Sequence, residues 1–212
     1  MAYRIISGRF ETGTKEQQFG YIQLFGNDDI QYFFDLYFHW YNLVHETGHC
    51  ICERYGADMT AFDEEMFVNR FAVAYYRYAG EDDKLAFLQG RLAAIIGGIP
   101  SPVPEGETFE EFYKRIWNTE QIANVMIYGY FQLNSVLEAL KKKGSLKDVL
   151  KEIKVPVNDL VTPEKCQAEV TSSNTDLFLE KAVSNLKSIG VDVPEIKLEL
   201  VDNPEIQCAR PE

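Results

Sequence analysis

His45-Glu46-Thr47-Gly48-His49 decides how this chain is read. Its form is H-E-x-x-H. On a helix, residues four apart share a face and lie about 6 Å apart along the axis. Two imidazoles so placed can close on one metal ion, each nitrogen about 2.0–2.1 Å from it. Glu46, one residue past the first histidine, points to the side of the pair. Its carboxylate can reach a metal-bound water without being a ligand. A metal lowers the pKa of such a water to about 7, and the carboxylate takes the proton as the water attacks a carbonyl. The alternative is a surface helix with two solvated histidines. Against it, the chain has only 3 His, and two of them are in the motif.

The flanking residues also carry the apolar pattern a metal helix needs. From about Ile30 to Arg54, Phe34, Tyr37, Tyr41, Val44, Gly48 and Ile51 recur at spacings of three and four, a core stripe. His45 and His49 fall on the neighbouring stripe with Phe38 and Cys52. The metal face therefore borders the core, as a dry, shaped site requires. Gly48 costs the helix about 1 kcal/mol against Ala, which the close approach of another backbone would explain. Upstream, Gly26-Asn27-Asp28-Asp29 supplies an N-cap with acids in the first turn. Downstream, Tyr55-Gly56-Ala57-Asp58 ends the helix. Thr60-Ala61-Phe62-Asp63 has capping-box spacing and opens a second helix to about Tyr78. Phe67, Phe71, Ala74 and Tyr78 form its apolar stripe, and Glu65, Asn69, Ala72 and Tyr76 a second one.

A catalytic metal site needs a third protein ligand and an open position. The extended form H-E-x-x-H-x-x-G-x-x-H fails, because Cys52 stands at its Gly and Tyr55 at its last His. His39, six residues before His45, points elsewhere around the helix and reads as a packed or surface residue. Glu53 shares the face of His49 but lies about 12 Å along the axis from His45. The third ligand must be a downstream carboxylate: Asp58, Asp63, Glu64 or Glu65. Glu65 is the best of these, with Glu64 the fallback. Asn69, one turn after Glu65 on the same face, could hydrogen-bond the outer nitrogen of a ligand histidine and fix its tautomer. The competing reading of Glu65 is an exposed first-turn acid favoured by the helix dipole.

At these residues the chain resembles the gluzincins, zinc peptidases whose H-E-x-x-H helix precedes a helix carrying a ligand Glu. Within that group it resembles the ImmA/IrrE-type metallopeptidases, whose second helix reads roughly E-x-x-A-N-x-F-A, then a Leu-Leu pair and a Pro. Glu65, Asn69, Phe71 and Ala72 match; Val68 replaces the Ala, Tyr75-Tyr76 the Leu pair, and the Pro is missing. The likeness covers about residues 45–72. It implies zinc on His45, His49 and Glu65, with Glu46 as general base. The family places strands closely before its zinc helix, whereas this chain has a long helical lead-in. A peptidase also needs a group to steady the oxyanion. Tyr55, Tyr75, Tyr76 and Tyr128 are candidates, and each equally suits a core aromatic.

The 212 residues carry a formal net charge of -12. An acidic chain repels a phosphate backbone, so nucleic acid is not an expected partner. Cys50, Cys52, Cys166 and Cys208 fit neither a disulfide framework nor a Cys-ligand zinc site. No N-terminal apolar region and no membrane-spanning run is seen, so the expected address is the cytoplasm, with no membrane partner. Tyr3 to Phe10 and Phe19 to Phe25 read as strands of a hairpin about Glu11-Thr12-Gly13-Thr14. Helices are expected at about Asp82–Ile96, Thr108–Asn118, Glu120–Lys143, Leu146–Ile153 and Thr175–Ile189, and a strand at 195–201.

The expected fold is therefore α+β and mostly α-helical: a short N-terminal β-hairpin, a zinc helix plus a glutamate helix, and a helical C-terminal half. Residues 1–104 would form a zinc metallopeptidase-like core, 105–190 a helical extension packed on it or part of the same domain, and 191–212 an acidic C-terminal segment whose end, past the strand, is poorly ordered. The expected function is a zinc-dependent metallohydrolase acting on a peptide or protein. The alternatives are an inactive zinc-binding helical protein serving as an interaction module, and a helical scaffold whose motif arose by chance.

Overall fold

The computed structural model describes residues 2–202. The fold is α+β and mostly helical. In chain order it comprises β1 (Tyr3–Gly8), α1 (Lys15–Phe25), α2 (Ile30–Phe34), a π-helical stretch (Asp35–Tyr41), α3 (Asn42–Arg54), α4 (Ala61–Tyr78), α5 (Asp82–Gly98), α6 (Phe109–Ile116), α7 (Val125–Lys141), α8 (Leu146–Glu152), α9 (Thr175–Ser188) and β2 (Ile196–Val201). The expected acidic end beyond β2 lies outside the described residues.

The N-terminal hairpin is not formed. Phe19 to Phe25 belong to α1, because Thr14 builds a capping box there. Its hydroxyl accepts from the Gln17 N–H at 3.2 Å, and the Gln17 side chain accepts from the Thr14 N–H at 2.7 Å. A short apolar run such as Tyr21–Phe25 does not by itself separate strand from helix. The partner of β1 is instead β2, in parallel, with Tyr3 opposite Ile196 and Gly8 opposite Val201. Asp29 does occupy a cap position, but with φ 53° and no side-chain capping bond.

The expected helix from Ile30 to Arg54 is continuous through α2, the π-helical turns and α3. It is apolar on nearly every side: Phe33, Leu36, Trp40, Leu43, Val44 and Ile51 are all buried. Such a helix belongs at the centre of a domain, and β1, α4 and α9 all pack around α3.

Thr60 caps α4 as its spacing predicts, accepting from the Asp63 N–H at 3.2 Å. Gly48 marks a close approach, but of side chains rather than of backbone. A Cβ there would meet Val68 Cγ1 and Phe71 Cδ1 at 3.0 Å each. The long helix expected over Glu120–Lys143 breaks after a 3₁₀ turn at Glu120–Ala123. Asn124 then caps α7 by accepting from the Met126 and Ile127 N–H groups. Leu133, Val136 and Leu137 of α7 join the same core as α3 and α4, so apolar packing runs unbroken past the Pro-rich loop at 99–104. A smaller apolar cluster, Phe62, Phe112, Tyr113, Ile116 and Phe131, seats α6 between the start of α4 and α7. Among the described residues no helix is long and apolar enough to cross a membrane.

Candidate metal centre

The α3–α4 connection brings the motif and the second helix together. Gly56, at φ 62°, takes the left-handed conformation that closes α3, with the Ala57 N–H bonded to the Cys52 carbonyl at 2.9 Å. The chain turns back, and the contact of α4 on Gly48 sets Glu65 beside both histidines. The Nε2 atoms of His45 and His49 are 3.3 Å apart. Glu65 Oε2 lies 3.5 Å from His45 Nε2, and its Oε1 lies 3.5 Å from His49 Nε2. Two ligands on a tetrahedral ion at 2.0–2.1 Å are separated by about 3.3–3.4 Å. The two nitrogens already stand at that separation and the carboxylate turns one oxygen to each ring at a similar distance, so His45, His49 and Glu65 could hold a metal ion.

The outer nitrogens show which way the lone pairs point. His49 Nδ1 lies 2.7 Å from Glu64 Oε1, and His45 Nδ1 lies 3.1 Å from Asn69 Oδ1. Both oxygens only accept, so each Nδ1 carries the hydrogen. Both Nε2 lone pairs then face each other and the Glu65 carboxylate. Three acceptors converging there repel unless a cation or a shared proton lies between them, and the raised pKa values of Glu65 and His49 show the same demand for positive charge.

The titration of the cluster has the same origin. Burial, with Glu46 and Glu64 nearby and His49 opposing, raises Glu65 to about 7. Burial and the neighbouring His49 push His45 down to about 3. Burial pulls His49 down as well, but the Glu64 hydrogen bond and the carboxylates of Glu65 and Glu46 outweigh it, so its pKa is raised. The donors are sheltered without being sealed. Side-chain exposure is 12% for His45, 28% for His49 and 19% for Glu65, enough for water to reach an open coordination position.

Glu46 is not one of the three converging donors. Its Oε1 accepts from Asn42 Nδ2 at 3.2 Å, and burial raises its pKa, partly offset by His49 and Asn42. Asn69 touches the outer nitrogen of His45, where the spacing placed it. Glu64, the fallback ligand, instead accepts from His49. The sequence offered only adjacency to Glu65 as a hint of that role. His39 stands apart, buried against Ser7 and Thr175. Cys50 and Cys52 are buried, and burial raises both thiols to about 12.

Three of the four candidate tyrosines point elsewhere. Tyr55 OH accepts from the Asp192 N–H at 2.8 Å, Tyr75 OH accepts from Asn185 Nδ2 at 3.2 Å, and Tyr76 OH donates to the Trp40 carbonyl. Tyr37 was not among those candidates. Burial, with Tyr128, Glu65 and Glu46 nearby, holds its hydroxyl above the ordinary range. Tyr41 and Ser135, which meet Asn69, were also missed, since neither is near the motif's second helix in sequence. A cavity of about 500 Å³, lined by residues including Lys165, Cys166, Leu177 and Lys181, shares no residue with the cluster. Comparison with protein-family models, with curated proteins and with solved structures finds no match for this chain.

Proposed function

We propose that this chain is a zinc-dependent metallohydrolase that cleaves peptides or proteins. The observation that carries the reading is the convergence of His45 Nε2, His49 Nε2 and the Glu65 carboxylate, with Glu46 beside them and outside the set. Two imidazoles and a carboxylate are a ligand set zinc favours, and three protein ligands leave one position open. Zinc bound there would supply Lewis acidity and an acidified water. His45 and His49 donate neutral nitrogen, Glu65 supplies charge, and Asn69 and Glu64 keep both rings turned inwards. Glu46 takes the proton from the attacking water and passes it to the leaving amine. Burial shifts its pKa upwards, the direction that helps a carboxylate both accept and return a proton.

Metal content of protein purified without added zinc is the first measurement, and about one equivalent per chain is expected. Glu46→Gln should retain that metal and lose hydrolysis by about 10²-fold or more. Hydrolysis kept in that variant would overturn the mechanism. One equivalent of metal with no cleavage across a broad peptide library would instead make the site structural and the chain a binding module.

A further inference from the structure

Asn69 is 2% exposed, and its amide meets four partners. Nδ2 lies 2.9 Å from the Glu65 carbonyl and 3.2 Å from Ser135 Oγ. Oδ1 lies 3.0 Å from Tyr41 OH and 3.1 Å from His45 Nδ1. All four bonds an amide can make are made.

Chemistry fixes which end of the amide is which. The Glu65 carbonyl can only accept, which favours the NH₂ on that side. The Ser135 hydroxyl donates to the Gln132 carbonyl at 3.0 Å, so towards Asn69 it too accepts. Two acceptors on one side turn Oδ1 towards Tyr41 and His45. An oxygen there compels His45 to carry its proton on Nδ1, which frees Nε2 for the metal. Were the amide reversed, its NH₂ would face Nδ1. The ring proton would then move to Nε2 and block ligation.

We propose that Ser135, on α7 and far outside the motif, is a positioning residue for the metal centre: by accepting from Asn69 it holds the amide in the sense that keeps His45 in its metal-binding tautomer. The proposal rests on the reading of His45, His49 and Glu65 as a metal centre. Ser135 touches neither the metal ligands nor a substrate, and it acts only through Asn69. It is fully buried, so its hydroxyl is not there to meet solvent. It also ties α7 to the centre by a hydrogen bond between residues 66 apart in sequence.

Two readouts test it. The first is the His45 tautomer in metal-free protein, read from ¹⁵N–¹H correlations of the imidazole. The second is the affinity for Zn²⁺ alone, by competition with a chromophoric chelator. In the wild type, His45 should carry its proton on Nδ1. In Ser135→Ala a mixed tautomer is expected, with Zn²⁺ bound about tenfold more weakly, the low end of the effect of removing a ligand's own partner. Ser135→Thr, which keeps the hydroxyl, should restore both. If Ser135→Ala does not fold, Ser135→Cys keeps the volume with a poorer acceptor and carries the same expectation. A wild type that binds Zn²⁺ tightly, beside a folded variant with the same tautomer and affinity, overturns the role of Ser135 alone. A wild type that takes up no Zn²⁺ overturns the metal centre and this proposal with it.

Discussion

Asp35 and His39 show what a single buried pair can hide. They sit one turn apart in the π-helical stretch, with His39 Nε2 3.8 Å from Asp35 Oδ1. Neither atom has a hydrogen-bond partner among the described residues. Burial raises Asp35 to about 6, with Gln31 opposing and Glu11 adding, and burial lowers His39 to about 4 despite Glu11. The unfolded values are about 3.9 and 6.5. Between pH 4 and 6 the folded pair therefore holds one proton, on Asp35. The unfolded pair also holds one, on His39. Asp35 makes the fold lose stability as pH rises through this window, His39 makes it gain, and the two slopes cancel. Asp35→Asn should uncover the His39 slope, so that stability relative to wild type climbs by about 2–3 kcal/mol from pH 4 to 6.5. His39→Gln should uncover the opposite slope, a fall of similar size. Urea denaturation of metal-free protein across that range measures both, and parallel profiles for all three proteins would refute the cancellation.

The contact between α3 and α4 is where sequence pattern and structure agree best. H-E-x-x-H, the Thr60 cap and the stripe holding Glu65 and Asn69 are local patterns with periods of three and four, so they survive without knowledge of the rest of the fold. What spacing could not show is how closely the two helices approach. Gly48 has Val68 and Phe71 against it, and a methyl group there would overlap both. Gly48→Ala should thus cost about 1–3 kcal/mol through overpacking, against the roughly 1 kcal/mol that Ala would return in helix propensity. It should also move Glu65 outwards and weaken metal binding. Val68→Ala removes much of the obstruction, so the double variant should regain stability and affinity relative to Gly48→Ala. Additive losses in that double-mutant cycle would show that the two side chains do not compete for the same space. Glu64 and Ser135 were illegible for a related reason: each meets its partner through a turn or an entire helical segment that periodicity does not describe.

Over the whole molecule, long-range pairing was hardest to read. Alternation at 195–201 marked β2 correctly, and β1 was also found, but nothing local says that they pair with each other. The nearer run at Phe19–Phe25 has the composition of a partner strand, but the capping box of Thr14 and Gln17 commits it to α1. Removing the chain from Ile196 onwards should leave the Ile5 and Ser7 backbone without its ladder. Amide exchange in β1 should then accelerate and the fold lose a few kcal/mol, as loss of a core-facing strand does, while any metal binding at the proposed centre should persist, because His45, His49 and Glu65 lie in α3 and α4. Unchanged protection of β1 in the shortened chain would contradict the assigned register. The parallel pairing also has a consequence for biosynthesis. β1 must wait for β2, whose residues follow it only after α1 to α9, so this sheet cannot form until β2 has also left the ribosome. During that interval α3 and α4 can already be packed, so His45, His49 and Glu65 could come together before the two strands have met.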